Sequence, residues 1–152
     1  MKPLSKSLIA VIVLAVLAVG GYLGWSALDQ KPEAPNASFS LLDGKTVDLS
    51  AYRGKVVLVN FWATSCTTCV GEMPELVKTY DQLNPKGFDL VAVAMSYDNP
   101  EFVRNFVQQR QLPFTVAFDA SGQAAKAFKD VRLTPTSFLI DKSGHIVKQY
   151  VG

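Results

Sequence analysis

This 152-residue chain predicts an α/β sandwich around a central mixed sheet, with one transmembrane helix ahead of it. Three observations carry that expectation. Two apolar runs, Val56–Trp62 and Phe88–Met95, have the composition of strands covered on both faces. Stretches with apolar residues at helical spacing alternate with them, as in an α/β layer architecture. Ahead of both lies an uncharged segment of 22 residues, Ser7 to Leu28, rich in Val, Leu, Ile and Ala.

At 1.5 Å per residue that first segment spans a hydrocarbon core of roughly 30 Å. Tyr22 and Trp25 fall near its far end, where aromatic rings favour the membrane interface. Lys2 and Lys6 precede it and no basic residue follows until Lys31, so the positive-inside bias puts the N-terminus in the cytoplasm. A cleaved signal peptide, with Leu8–Val19 as its apolar region and a cut after Gly20, is the competing reading. The apolar run continues past that point, which favours a retained anchor over residues 1–28. Either way the rest of the chain is exported. Residues 29–36 read as a short polar linker with Pro32 and Pro35, and 37–152 as one compact domain. All 13 acidic and 13 of the 15 basic residues lie beyond the anchor, so the domain is formally neutral. Such a balance gives no electrostatic support for a nucleic-acid partner.

Within the domain, Asp43-Gly44 between short alternating segments, Phe39 to Leu49, signals an N-terminal β-hairpin. Val56–Trp62 is the first buried strand. Glu72–Asn84 places Met73, Leu76, Val77, Tyr80 and Leu83 at helical spacing, and Phe88–Met95 is the second buried strand. Pro100 suits a helix start, and Phe102, Val103, Phe106 and Val107 give the next helix an apolar stripe that reads as core. Phe114–Phe118 is a short strand and Gly122–Lys129 a short helix. Ser137–Asp141 and His145–Val151 form a closing hairpin, which makes the sheet mixed.

The chemistry concentrates at Cys66 and Cys69, the two cysteines of the chain, set two residues apart where a strand gives way to a helix. That spacing lets both sulfurs share the first helical turn. Free backbone N–H groups and the positive dipole end there favour a thiolate on the leading sulfur. A four-ligand zinc site would need two further Cys or His, and His145 alone is available. A purely structural disulfide closing so small a loop would constrain the unfolded chain little. Reversible dithiol–disulfide chemistry is the better reading. No metal site is expected.

The segment from Gly54 to Pro74 (GKVVLVNFWATSCTTCVGEMP), with the later LTPTSFLID from Leu133 to Asp141, resembles thioredoxin-fold proteins of the TlpA/ResA type. These are membrane-tethered thiol–disulfide oxidoreductases on the outer side of bacterial cytoplasmic membranes. The likeness covers about Phe39 to Gly152. It implies a thioredoxin-like fold with an N-terminal β-hairpin and a β/α insert around Pro100–Phe118. It implies that Cys66 attacks a partner disulfide and that Cys69 resolves the mixed disulfide, the pair cycling through a Cys66–Cys69 bond. Glu72 matches the family's acidic residue one turn beyond, which would handle the proton of Cys69; a solvated first-turn glutamate is the alternative. Thr134-Pro135 matches the cis-proline element that abuts the pair and offers a backbone edge to a peptide substrate; a trans proline at a strand entry is the bland reading. Trp62 is expected beside the pair as part of the substrate-binding surface, with a plain core aromatic as its competitor. Asn60 stands where plain thioredoxins keep a buried aspartate, and an amide cannot act as a base. Pro74 would bend the helix or mark a late start.

Three departures stand out: Ser65 replaces an aromatic, Thr68 replaces a proline, and the chain stops at Gly152, where relatives continue into a final helix. The first two alter the surroundings of the sulfurs and leave the direction of electron flow open. The resemblance implies exported protein substrates with disulfides, such as apocytochrome c or copper-site cysteines. Electrons would come from a separate membrane dithiol donor, since no nucleotide or flavin motif is visible and no cofactor is expected. Rival functions are a dithiol oxidase, a peroxiredoxin-like peroxidase and a Cu(I) metallochaperone. The peroxidase pattern aligned on Cys69 would need Pro at Trp62 and Thr at Cys66, and neither stands there. Soft thiolates allow Cu(I), but no Met or His ligand motif supports it beyond Met73 nearby.

Overall fold

The computed structural model describes residues 12, 14–21 and 31–152. Residues 14–21 are helical and exposed. Among the described residues no helix is long and apolar enough to cross a membrane. Most of the expected span, with Lys2, Lys6, Tyr22 and Trp25, lies outside the described residues.

The second unit, Pro32–Gly152, carries two sheets. Strands β1 (Ser38–Ser40) and β2 (Thr46–Asp48) form the antiparallel hairpin expected around Asp43-Gly44. Gly44 takes φ +85°, a left-handed conformation that an L side chain resists. The main sheet has the order β5-β4-β3-β6-β7, from Thr115–Phe118, Phe88–Ala94, Val56–Trp62, Thr136–Ile140 and Ile146–Val151. β3, β4 and β5 run parallel, while β6 and β7 are antiparallel additions, so the sheet is mixed as anticipated. Helices α1 (Thr67–Leu83), α2 (Pro100–Arg110) and α3 (Gln123–Ala127) complete the body.

The period-2 alternation of strands divides the core in two. Val57, Val59 and Phe61 of β3 face one layer with Phe39, Phe128 and Phe138. Trp62 faces the other, with Leu90, Ala92 and Ala94 of β4, Cys69 and Met73 of α1, and Val103 of α2. Covering on both faces explains why β3 and β4 read as continuous apolar runs. Phe128 packs its ring 5.0 Å from Phe138 and 5.4 Å from Phe61. Truncating such an aromatic to alanine costs about 3–5 kcal/mol.

Four details refine the expectation. α1 begins at Thr67, five residues before Glu72, because Cys66 supplies a cap that its residue type did not advertise. Pro74 lies inside that helix, where its missing N–H leaves the carbonyl of Val70 without its helical donor. Phe102, read as core, is 61% exposed, because α2 turns Val103 inward and Phe102 away from the sheet. Residues 32–34, within the segment read as a linker, dock on the closing hairpin: Pro32 accepts from Ile146 N–H at 2.8 Å and Ala34 N–H donates to Gly144 at 2.9 Å.

Candidate active site

The end of β3 delivers Cys66 to the N-cap of α1. Its backbone is extended (φ −90°, ψ 103°), and its sulfur accepts a hydrogen bond from Cys69 N–H at 3.2 Å. A cap normally uses an oxygen for this, on Ser, Thr, Asp or Asn. Here the donor that stabilises the helix end also faces the sulfur on which negative charge would develop. The two cysteines are bonded, with S–S 2.11 Å and Cα–Cα 5.3 Å. Their exposures differ sharply. Cys66 is half-buried at the rim, whereas Cys69 is 2% exposed and packs in the core layer with Trp62 and Met73.

The start of β6 supplies the second wall. The Thr134–Pro135 peptide bond is cis, and the Thr134 carbonyl oxygen lies 3.6 Å from Cys66 Sγ. Pro135 is buried while Thr134 is half-buried, with its hydroxyl 3.0 Å from that of Tyr97. Thr136 Oγ1 donates to the Leu133 carbonyl at 2.8 Å, tying the loop to the strand it enters.

A third element was not anticipated. Asp98, in the turn after β4, is buried and accepts from Thr64 N–H and Thr64 Oγ1, both at 2.6 Å, and from Asn99 N–H at 2.8 Å. This carboxylate braces the loop that leads into Cys66. In the sequence Asp98 stands before Asn99-Pro100 and reads as an ordinary helix entry. Only its partner, 34 positions earlier, reveals the function.

Glu72 sits half-buried in the second turn of α1. Trp62 shares the buried layer with Cys69 and is fully buried against Phe106, with ring centroids 5.2 Å apart. A side chain without exposed surface supports the pair from beneath and does not itself meet a client, which corrects its assignment to the substrate-binding surface. Two buried polar atoms on this face, Trp62 Nε1 and Asn60 Oδ1, have no hydrogen-bond partner among the described residues. Asn60 Nδ2 donates to Ser137 Oγ at 2.9 Å. His145 lies at the opposite end of β6 from Thr136, so the fold keeps it away from the sulfurs. Among the described residues no group of three or more His, Cys, Asp or Glu is placed to hold a metal ion.

A bonded, unequally exposed pair at a helix N-terminus, faced by a cis-proline loop on a mixed sheet, defines a thiol–disulfide oxidoreductase of thioredoxin-like fold. The chain belongs to the Redoxin family, whose model matches residues 29–152. It is 38% identical, over 97% of its own length and 89% of the relative's, to the thiol-disulfide oxidoreductase ResA of Bacillus cereus. A solution structure described as a thioredoxin of Neisseria meningitidis shares 45% identity at TM-score 0.73, covering 81% of each chain. A thiol:disulfide interchange protein of the thioredoxin family from Chlorobium tepidum shares 29% identity at TM-score 0.74, covering 81% of this chain and 87% of that one.

Proposed function

We propose that the chain reduces disulfides of exported proteins on the outer side of a bacterial cytoplasmic membrane. Residues 1–28 serve as its anchor, 29–36 as a linker and 37–152 as the catalytic domain. The observation that carries the reading is the unequal burial of the two sulfurs at a capped helix end. A rim sulfur that accepts an N–H is suited to attack, and a core sulfur to resolution.

In this mechanism the reduced pair presents Cys66 as a thiolate. It attacks one sulfur of the client disulfide, and the other client sulfur leaves as a thiolate. Cys69 then loses its proton and attacks Cys66, which releases the second client thiolate and leaves the Cys66–Cys69 bond seen here. Two electrons have passed to the client, which takes up two protons. Glu72, one turn past Cys69, receives the proton of Cys69, since Asn60 cannot. The cis Thr134-Pro135 loop offers its backbone to the client beside Cys66. A separate membrane dithiol returns the pair to the reduced state. Clients of the kind the resemblance implies are apocytochrome c or copper-site cysteines. The uncharged run from Ser7 to Leu28 and the flanking lysines support the placement.

The reduction potential tests the direction. Equilibration of the full chain in glutathione buffers is expected to give a value near that of thioredoxin, about −270 mV. A value near about −120 mV would make the protein a dithiol oxidase instead.

A further inference from the structure

β3 is apolar from end to end except at Asn60, which is 1% exposed. Its amide nitrogen donates to Ser137 Oγ at 2.9 Å, while its oxygen has no partner among the described residues. A sealed acceptor left bare is costly, and a strand covered on both faces favours an apolar residue at such a position. We propose that Asn60 Oδ1 accepts the S–H that reduction creates on Cys69, so that the amide positions the resolving thiol and holds its proton until the mixed disulfide forms. The inference rests on the reductase reading above and adds a residue to that reaction.

The sheet puts the amide in the layer of the resolving sulfur. Val57, Val59 and Phe61 face one layer and Leu58 and Trp62 the other, so Asn60 shares the layer of Trp62. Cys69 and Met73 of α1 pack in that layer, as does Ala92. Ala92 stands directly beside Asn60 on β4 and is too small to screen the amide from α1. β3, α1 and β4 form a crossover between parallel strands, so α1 returns over the sheet from the end of β3 towards its start. One helical turn of about 5.4 Å nearly matches the step of about 6.6 Å between alternate strand residues. Cys69, in the first turn, therefore stands over Asn60 and Trp62, the last positions of β3 that face α1.

The oxidised pair carries no proton, and Asn60 Oδ1 is unpaired. When the membrane dithiol reduces it, the Cys66–Cys69 bond breaks and takes up two electrons, while the donor closes its own disulfide. Of the two protons the donor gives up, one stays on Cys69 and the other passes to solvent, leaving Cys66 as a thiolate. Cys69 is then a buried donor and Asn60 Oδ1 a buried acceptor in one layer. Their bond exists in the reduced state alone and favours it. Because it binds the protonated sulfur, it keeps Cys69 neutral until Glu72 takes the proton. Among the described residues, Glu72 and Cys66 are the ionisable neighbours on α1, where Glu75 is paired with Lys78. Asp89 of β4 faces the opposite layer with Val91 and Val93, and Asp98 is held by Thr64. Glu101, Arg104 and Arg110 are on the exposed side of α2, and Lys148 and Tyr150 of β7 are exposed beyond Ser137.

The test follows the full chain in both redox states. By NMR, the Asn60 Cγ resonance is expected to move downfield on reduction with dithiothreitol, as an amide carbonyl does on gaining a donor. That of Asn84, at the far end of α1, should stay in place. Cys66→Ser isolates the Cys69 thiol for infrared spectroscopy. Its S–H stretch is expected below that of a thiol in hydrocarbon, and Asn60→Leu added to this background should shift it upward. With both cysteines present, Asn60→Leu should make the pair about tenfold harder to reduce in glutathione buffers, a potential lower by about 30 mV. A Cγ resonance indifferent to reduction would overturn the proposal in the unsubstituted chain, whether or not Asn60→Leu folds. An S–H band that Asn60→Leu leaves in place would overturn it too, by assigning the thiol to a helix carbonyl. So would a moving Nδ2 resonance with Cγ fixed, which would make the amide a donor, or a redox equilibrium changed less than about twofold. A pair that neither glutathione nor dithiothreitol reduces would instead remove the reductase reading on which the proposal rests.

Discussion

Cys69 N–H donates to Cys66 Sγ at 3.2 Å, and Cys66 is the N-cap of α1. One hydrogen bond thus joins the beginning of a helix to the polarisation of a sulfur. The helix that rises from this cap also carries Cys69 inward, where it is 2% exposed. The backbone geometry that starts α1 is what makes the two sulfurs unlike.

That asymmetry predicts distinct outcomes for the two cysteines. Cys66→Ser is expected to abolish both turnover and mixed-disulfide formation, because the buried sulfur cannot reach a folded client. Cys69→Ser should accumulate the mixed disulfide on Cys66, visible as a client-sized mass shift on a non-reducing gel. Reductase turnover retained by Cys66→Ser would reverse the assignment.

Glu72→Gln keeps the size and half-burial of the side chain but removes its capacity to take a proton. If Glu72 receives the proton of Cys69, the resolution step should slow on the order of 10²-fold, and its pH dependence should flatten. Single-turnover release of reduced client, followed across pH, measures this. A superimposable profile would leave Glu72 as a half-buried charge in the second turn with no part in the proton transfer.

Asp98→Ala leaves Thr64 N–H, Thr64 Oγ1 and Asn99 N–H without their acceptor. Each hydrogen bond to a charged group is worth about 1.5–3 kcal/mol. Partial rescue by water reduces the sum, so a loss of about 3 kcal/mol in urea denaturation is expected. Positioning of the Cys66 loop should fail as well. The pH profile of Cys66 alkylation in the reduced protein should shift, which a purely structural loss elsewhere in the core would not cause.

Stability should decline at alkaline pH. Burial raises the Tyr52 phenol above its ordinary value of 10.0. The hydrogen bond and charge of Asp89, 2.8 Å away, raise the Lys55 ammonium above 10.5. Both groups hold their protons longer in the folded state than in the unfolded one. Their contribution is complete below the unfolded values and is lost as pH rises through the folded ones. Denaturation midpoints should therefore be flat up to about pH 9 and fall beyond about pH 10. In Tyr52→Phe, which also loses the bond to Thr115 Oγ1, that fall should be shallower.

Much of this was legible along the chain. β3 occupies Val56–Trp62, the limits its apolar run indicates, because burial on both faces leaves no polar residue inside the strand apart from Asn60. The turn at Asp43-Gly44 and the sulfur pair were likewise readable from residue type and motif, while the cis-proline loop was expected from the family resemblance alone. The helical periodicity marked only the stretch from Glu72 onward, since two threonines after a cysteine carry neither strong helix propensity nor a familiar cap, although the spacing of the pair placed both sulfurs in the first turn. The orientation of Phe102 was also hidden. Four apolar residues at helical spacing form a stripe wider than the sheet covers, and spacing alone does not say which of them is left outside.

Local periodicity and short motifs were enough to determine the elements, their order, the reactive pair and its chemistry, because burial and helix or strand period act between near neighbours. Tertiary structure alone decided that Asp98 grips Thr64 across 34 positions, and it set the Thr134 carbonyl 3.6 Å from Cys66 Sγ, 68 positions away, where the resemblance placed the loop beside the pair without a distance. It also decided that Trp62 is sealed in the core while Tyr97 and Phe102 face solvent. Those relationships depend on how loops of no regular period bring distant strand ends to one rim, and no property of the separate segments encodes that meeting.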